Sequence, residues 1–212
     1  MRMRKKKHRE ERLEKCRCCI IDDIMQYKDD LKSIFSNKRT PLYLEIGCGK
    51  GAFVSRMAQM YPKINFLAFE KNPDVLLVAA EKIKDMGIKN VRLVRADVSV
   101  LDEFDSKSKC DRIYINFCDP WHKNCQRKRR LTYKTFLQMY KKLLKRGGEL
   151  HFKTDNLKLF EFSLNSFADF GLRMKNITFD LHNSGFENNV MTEYEKNFSE
   201  KGQPIFRCEV KF

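Results

Sequence analysis

No apolar run in this sequence is long enough to cross a membrane. Stretches such as residues 75–80 fall far short of the roughly 20 residues that a spanning helix needs. The basic start is not followed by an apolar segment of the kind a secretory signal carries, so none is expected. The chain shows no internal repeat, no Pro/Gly/Ser linker and no low-complexity tract beyond that start. None of its four histidines sits in a metal-ligand pattern, and the C-x-C-C of Cys16, Cys18 and Cys19 lacks the second pair downstream that zinc sites use. No metal is expected. Eight cysteines without a secretory signal suggest reduced thiols in a cytoplasmic protein. There is one tryptophan, and not one acid between residues 121 and 148.

That last absence matters for the charge. The chain carries 43 basic and 28 acidic residues, a net +15. Residues 1–15 hold 8 basic and 3 acidic groups, and residues 121–148 hold 10 basic and none acidic. These two segments account for the whole excess. A solvated face usually mixes both signs, so two one-signed patches point to a polyanionic partner. A hydrophobic content of 42% over 212 residues supports a packed α/β core.

Residues 1–38 read as a basic arm, partly flexible, and 39–212 as one domain. From Pro41 onward the pattern alternates. Strands are expected at 42–46, 64–70, 91–95, 111–117 and 149–153. Helices are expected at 52–59, at 73–86 behind an Asn72 cap, at 132–145 stopped by Gly147-Gly148, and at 156–170. Strands at 172–181 and 206–212 follow. This order predicts a Rossmann-like, mostly parallel sheet with helices on both faces and an antiparallel C-terminal edge.

The first strand runs into Glu45-Ile46-Gly47-Cys48-Gly49-Lys50-Gly51, a glycine turn that lets backbone approach a ligand. Glu70 ends the second strand, where an acid accepts ribose hydroxyls, and Asp97 follows the third. The same acid position serves NAD enzymes. However, a pyrophosphate would repel Glu45, Glu70 and Asp97, whereas a sulfonium with an α-amino group would be attracted. S-adenosylmethionine is therefore the favoured ligand. The fourth strand ends in Asn116-Phe117-Cys118-Asp119-Pro120-Trp121, at the sheet end where ligands bind in open α/β folds. Asp119 is functional on this reading. Trp121 offers a flat face for a base, or fills the core. Cys118 is read as packing, His151 as a satisfied sheet residue, and Phe160, Phe162, Phe167 and Phe170 as core.

Together, EIGCGKG, Glu70, the DPW loop with its basic run and RRLTY, FKTDN and MTEYE resemble the bacterial tRNA (guanine-N(7)-)-methyltransferase family, over nearly the whole chain from Tyr27 to Phe212. The resemblance implies S-adenosylmethionine as methyl donor, held by Glu45, Gly47, Gly49, Glu70, Asp97 and Asp119. It implies catalysis by Asp119 and Asp155. Substrate contacts are implied at Lys123, Asp155, Thr192, Glu193, Tyr194 and Glu195, and RNA contacts at Arg127, Lys128, Arg129 and Arg130. The implied reaction is methylation of N7 of a guanine in the tRNA variable loop. One departure is His122-Lys123-Asn124 where the family pattern has Pro-Lys-Lys, so the basic contact at Asn124 is lost. Alternatives are an RNA methyltransferase aimed at another base atom, a non-catalytic RNA-binding protein, or a small-molecule methyltransferase. Monomer and homodimer both remain open.

Overall fold

The computed structural model describes residues 6–104 and 109–212. Residues 1–5 of the basic arm lie outside them. The chain divides into two compact units, up to Ser108 and from Lys109.

In the first unit, strands β1 (Ile20–Ile21), β2 (Leu42–Ile46), β3 (Asn65–Phe69) and β4 (Val91–Val94) lie in the order β1-β4-β3-β2. Every pairing among them is parallel. β3 is buried at all five positions, as befits a strand covered on both faces. Helix α2 (Ala52–Met60) follows the glycine turn. Helix α3 (Pro73–Asp85) starts where expected: the Asn72 side chain accepts from the amides of Asp74 and Val75, with Pro73 at the first helical position. Losing such a cap costs about 1 kcal/mol. From Lys6 onward the arm touches α3, Lys6 N donating to Asp74 Oδ1 at 2.8 Å. Helix α1 (Arg9–Lys15) lies against α3, with Arg12 bidentate on Glu81 at 2.8 Å and Arg9 paired with Asp74.

In the second unit, β5 (Cys110–Asn116), β6 (Leu144–Thr154), β7 (Arg173–Thr178) and β8 (Phe206–Lys211) run in the order β5-β6-β8-β7. β5 and β6 are parallel, while β8 is antiparallel to both β6 and β7. The expected antiparallel C-terminal edge is therefore present. Helix α5 (Leu157–Asp169) buries Leu159, Phe160, Ser163 and Phe167. Phe160 stacks on Phe152 and Phe206, and Phe167 meets Phe152 edge-on. Truncating such a ring costs about 3–5 kcal/mol. Phe162 and Phe170 are only half-buried.

Helix α4 (Lys134–Leu143) ends sooner than its periodicity implies, because Leu144 turns extended and pairs with Cys110 of β5. The two glycines then lie inside β6, Gly147 with φ +76°. A Cβ on Gly148 would come within 3.0 Å of the Leu144 side chain. They permit a tight passage of strand rather than stopping a helix. Helix α6 (Glu193–Ser199) was not anticipated; a Thr192–Glu195 capping box starts it.

Candidate active site

In the first unit, Gly47, Gly49 and Gly51 all take left-handed backbone angles, φ 76°, 56° and 74°. Only glycine does this at little cost. A Cβ on Gly51 would meet the Ala79 Cβ at 2.9 Å, so this glycine lets α2 and α3 approach. Over Gly47 and Gly49 there is open space. The amides of Gly47 and Cys48 both donate to the Phe69 carbonyl at 2.9 Å, tying the turn to the end of β3. Glu70 is held next to it by two backbone amides: Gly49 N donates to Oε2 at 3.1 Å and Asn72 N to Oε1 at 2.8 Å. A carboxylate offers about four acceptor positions, so capacity remains for two hydroxyls. Glu45 lies on β2 at 2% exposure. Asp97 is exposed and caps the 3₁₀ turn 98–103 by accepting from Ser99 N at 3.0 Å. Burial, with the charges of Glu45 and Glu70, pushes the Cys48 thiol well above its usual range.

In the second unit, β5 ends in a kinked loop. Phe117 and Trp121 take left-handed angles, φ 54° and 44°, a strain of about 1–3 kcal/mol each that needs support from around it. Arg130 supplies part of that support. Its Nε donates to the Pro120 carbonyl and its Nη2 to the Trp121 carbonyl, both at 3.0 Å, and its guanidinium lies 4.4 Å from the Phe162 ring centre. Arg129 sits 4.9 Å over the half-buried Trp121 ring. Lys123, Arg127 and Lys128 are exposed, as is Asp119. The basic run thus divides: Arg127 and Lys128 face solvent, while Arg129 and Arg130 fold back onto the Asp-Pro-Trp loop. Burial, then Asp119 and Asp155, push the Cys118 thiol up to about 12. It holds its proton at neutral pH and is no thiolate nucleophile.

β6 delivers Lys153, Thr154 and Asp155. The Tyr194 hydroxyl donates to Asp155 Oδ2 at 3.2 Å. Burial, then the Asp155 charge, raise that phenol to about 12, so it stays a donor. The Tyr194 ring stacks on Phe198 at 4.3 Å and tilts against Phe117 at 5.1 Å. Of the four residues expected to touch substrate here, Glu193 and Tyr194 are exposed. The Thr192 hydroxyl is engaged in capping α6. Glu195 is 0% exposed, its carboxylate bonded to Lys153 at 2.7 Å and Asn189 at 2.6 Å. Sequence reasoning missed Phe117, Lys153 and the loop-holding part of Arg130. Only the lysine carried a signal, as a charge among the apolar and β-branched residues of a strand.

Farther along β6 and β8, Glu149, His151 and Glu209 bring ligand-type atoms within 4.8 Å of one another. Arg112, Lys175 and Arg207 neutralise this group. Burial would raise Glu149, yet hydrogen bonds from Lys175 and His151 and the charge of Arg112 hold it at about 2. Burial and Arg112 bring His151 down to about 4, and its Nε2 lies 3.1 Å from Glu149. His151 is thus a satisfied sheet residue. All eight cysteines are free thiols.

Known proteins bear on this geometry. A family model described as "Putative methyltransferase" matches residues 39–208. A tRNA (guanine-N(7)-)-methyltransferase of Bacillus velezensis is 45% identical over 212 residues, all of this chain and 97% of that one. One of Streptococcus agalactiae is also 45% identical, over the full length of both. Among solved structures, a precorrin-6y C5,15-methyltransferase from Geobacter metallireducens aligns over 96% of this chain and 89% of its own, with TM-score 0.56 at 15% identity. That likeness shows the Rossmann-like class I methyltransferase fold. The chain belongs to the bacterial tRNA (guanine-N(7)-)-methyltransferase family.

Proposed function

We propose that this protein transfers a methyl group from S-adenosylmethionine to N7 of a guanine in the variable loop of tRNA, in the cytoplasm. The observation that carries this reading is the glycine turn locked to Glu70 in one unit, together with the Asp119 loop and the Tyr194–Asp155 pair in the other, in a chain 45% identical to enzymes of that name. The residues of the first unit suit the donor. Open space over Gly47 and Gly49 admits it, Glu70 accepts its ribose hydroxyls, and Glu45 and Asp97 meet its positive groups. Bound there, S-adenosylmethionine would supply an electrophilic sulfonium methyl: as an in-plane lone pair forms the new N–C bond, the C–S bond would break and its electrons would leave with the neutral thioether.

Guanine N7 carries such a lone pair and no proton, so the protein needs no general base. Its work is alignment, which lowers a barrier by roughly 7–11 kcal/mol in favourable cases. Asp119 and Asp155 accept from guanine N1 and N2 hydrogens and stabilise the positive charge that develops on the purine. Tyr194 orients Asp155 by its hydrogen bond. Lys123, Arg127 and Lys128 meet phosphates, and their binding offsets the roughly few kcal/mol of pulling the base from its stack. Retention of Glu45, Glu70 and Asp119 disfavours a non-catalytic RNA binder, and the basic patches disfavour a small-molecule substrate. Incubation with labelled donor and total tRNA, followed by nucleoside analysis, tests the reading. N7-methylguanosine is the expected product; label in another nucleoside, or none, contradicts it.

A further inference from the structure

Two segments of the second unit are joined twice. The first join is the hydrogen bond from Tyr194 to Asp155. The second lies next to it in both segments: Lys153 Nζ donates to Glu195 Oε2 at 2.7 Å. Lys153 stands two residues before Asp155, and Glu195 directly follows Tyr194. The inner join is buried, at 5% exposure for Lys153 and 0% for Glu195. Lys153 also donates to the Val190 carbonyl at 3.0 Å and to Asn189 Oδ1 at 3.1 Å. Glu195 also accepts from Asn189 Nδ2, and, at the edge of bonding distance, from Thr192 N at 3.4 Å. His182 Nε2 stands 3.5 Å from its Oε1. The same carboxylate therefore closes the capping box that starts α6. A guanine could reach it only by undoing that cap.

We infer that Glu195 does not contact the guanine, and that the buried Lys153–Glu195 pair is a positioning device setting the Tyr194 hydroxyl against Asp155. The inference rests on the functional reading above. A buried ion pair is a poor source of stability, because desolvation of both charges offsets their attraction. It does fix geometry. Successive residues of a helix point about 100° apart, so holding Glu195 fixes both the rotation of α6 and the direction of Tyr194. α6 has seven residues, too few to be rigid without such an anchor.

The test uses the full-length protein with S-adenosylmethionine and tRNA, in single-turnover transfer at saturating concentrations. Removing one charge leaves the other buried and endangers folding, so the decisive variant is the neutral double substitution K153M/E195Q. Thermal unfolding is followed alongside, and rates are taken well below the transition of each protein. Misplacement of a reacting group by about 1 Å costs on the order of 100-fold. The double variant should therefore transfer about 30- to 100-fold more slowly, with affinities for tRNA and donor within about twofold of the parent. Tyr194→Phe should slow the parent but not the double variant, since its hydroxyl is already misdirected there. Parental transfer by the folded double variant would overturn the inference. So would a loss confined to tRNA affinity, which is the signature of a direct guanine contact, or a full additional effect of Tyr194→Phe. A parent protein that makes no N7-methylguanosine would instead bring down the functional reading itself.

Discussion

The two units hold their candidate functional groups by different means. In the first, Glu70 is fixed by the amides of Gly49 and Asn72, and the glycine turn by the Phe69 carbonyl. The holding groups are main chain. In the second, Asp155 is met by Tyr194, Lys153 by Glu195, and the Asp-Pro-Trp loop by Arg130. The holding groups there are side chains, up to 42 positions away in sequence. A site held by backbone tolerates change in its neighbours, provided that glycine stays where φ is positive. A site held by side chains depends on each of them.

The largest effect expected from this contrast falls on Asp119. Asp119→Ala removes a charge proposed to face the developing cation, and losses of one such group run to about 100- to 1000-fold. Single-turnover transfer at saturating tRNA should fall by that order, while tRNA affinity weakens by the lost guanine hydrogen bonds and is otherwise kept by the phosphate contacts. Next comes Glu70→Ala, which deletes an acceptor while leaving its amide partners free to take water. Donor affinity measured by calorimetry should weaken about 10- to 100-fold, the worth of one or two charged hydrogen bonds, with tRNA binding unchanged. An unaltered donor affinity in a folded variant would remove Glu70 from the site.

The basic run sharpens the comparison within the second unit. Lys128→Ala should weaken tRNA binding, reduce its log–log salt slope by about 0.7–0.9, and slow transfer at saturating tRNA only modestly, by the share of binding energy it brings to freeing the base. Arg130→Ala should do the reverse. Its donors are engaged with the Pro120 and Trp121 carbonyls, so the slope should barely move while transfer slows by roughly tenfold. Equal slopes lost in both variants would mean that Arg130 serves phosphate after all.

The smallest effect concerns stability. The folded protein keeps His151 neutral down to about pH 4, against an ordinary value of 6.5. The unfolded chain takes up that proton first. Stability is therefore full above about pH 6.5 and falls as the pH drops towards 4, by roughly 1–3 kcal/mol. His151→Gln should flatten this part of the profile, seen as a smaller fall in Tm between pH 7 and pH 5. An unchanged profile would show that the carboxylates around it dominate.

The same contrast explains what was legible in the sequence. Glycines, caps and alternating strands are local signals, so β2, the Asn72 cap and Glu70 were read nearly to the residue. Asp119 is singled out as a candidate through the strand end that carries it. The Lys153–Glu195 pair was out of reach, because nothing across a separation of 42 positions announces which charges will meet. Thr192 and Glu195 carry a capping signature, Thr-x-x-Glu, which read locally announces a helix start. The end of α4 was misplaced for a related reason. Leu144 continues the helical apolar period, and only its pairing with Cys110 draws it into β6. Lys128 and Arg130 look alike in a run of four bases, and their separate surroundings are set by the fold.

Transfer to guanine N7 needs alignment alone, without a general base or a cysteine nucleophile. The most direct test is a tRNA carrying 7-deazaguanosine at the variable-loop guanine, given to the full-length protein with labelled S-adenosylmethionine. Its Watson–Crick edge and phosphates are unchanged, so it should bind with parental affinity. It should accept no methyl group at that base, because carbon replaces the nucleophilic nitrogen. Methylation of the deaza base at the normal rate would place the acceptor at another atom and contradict the account.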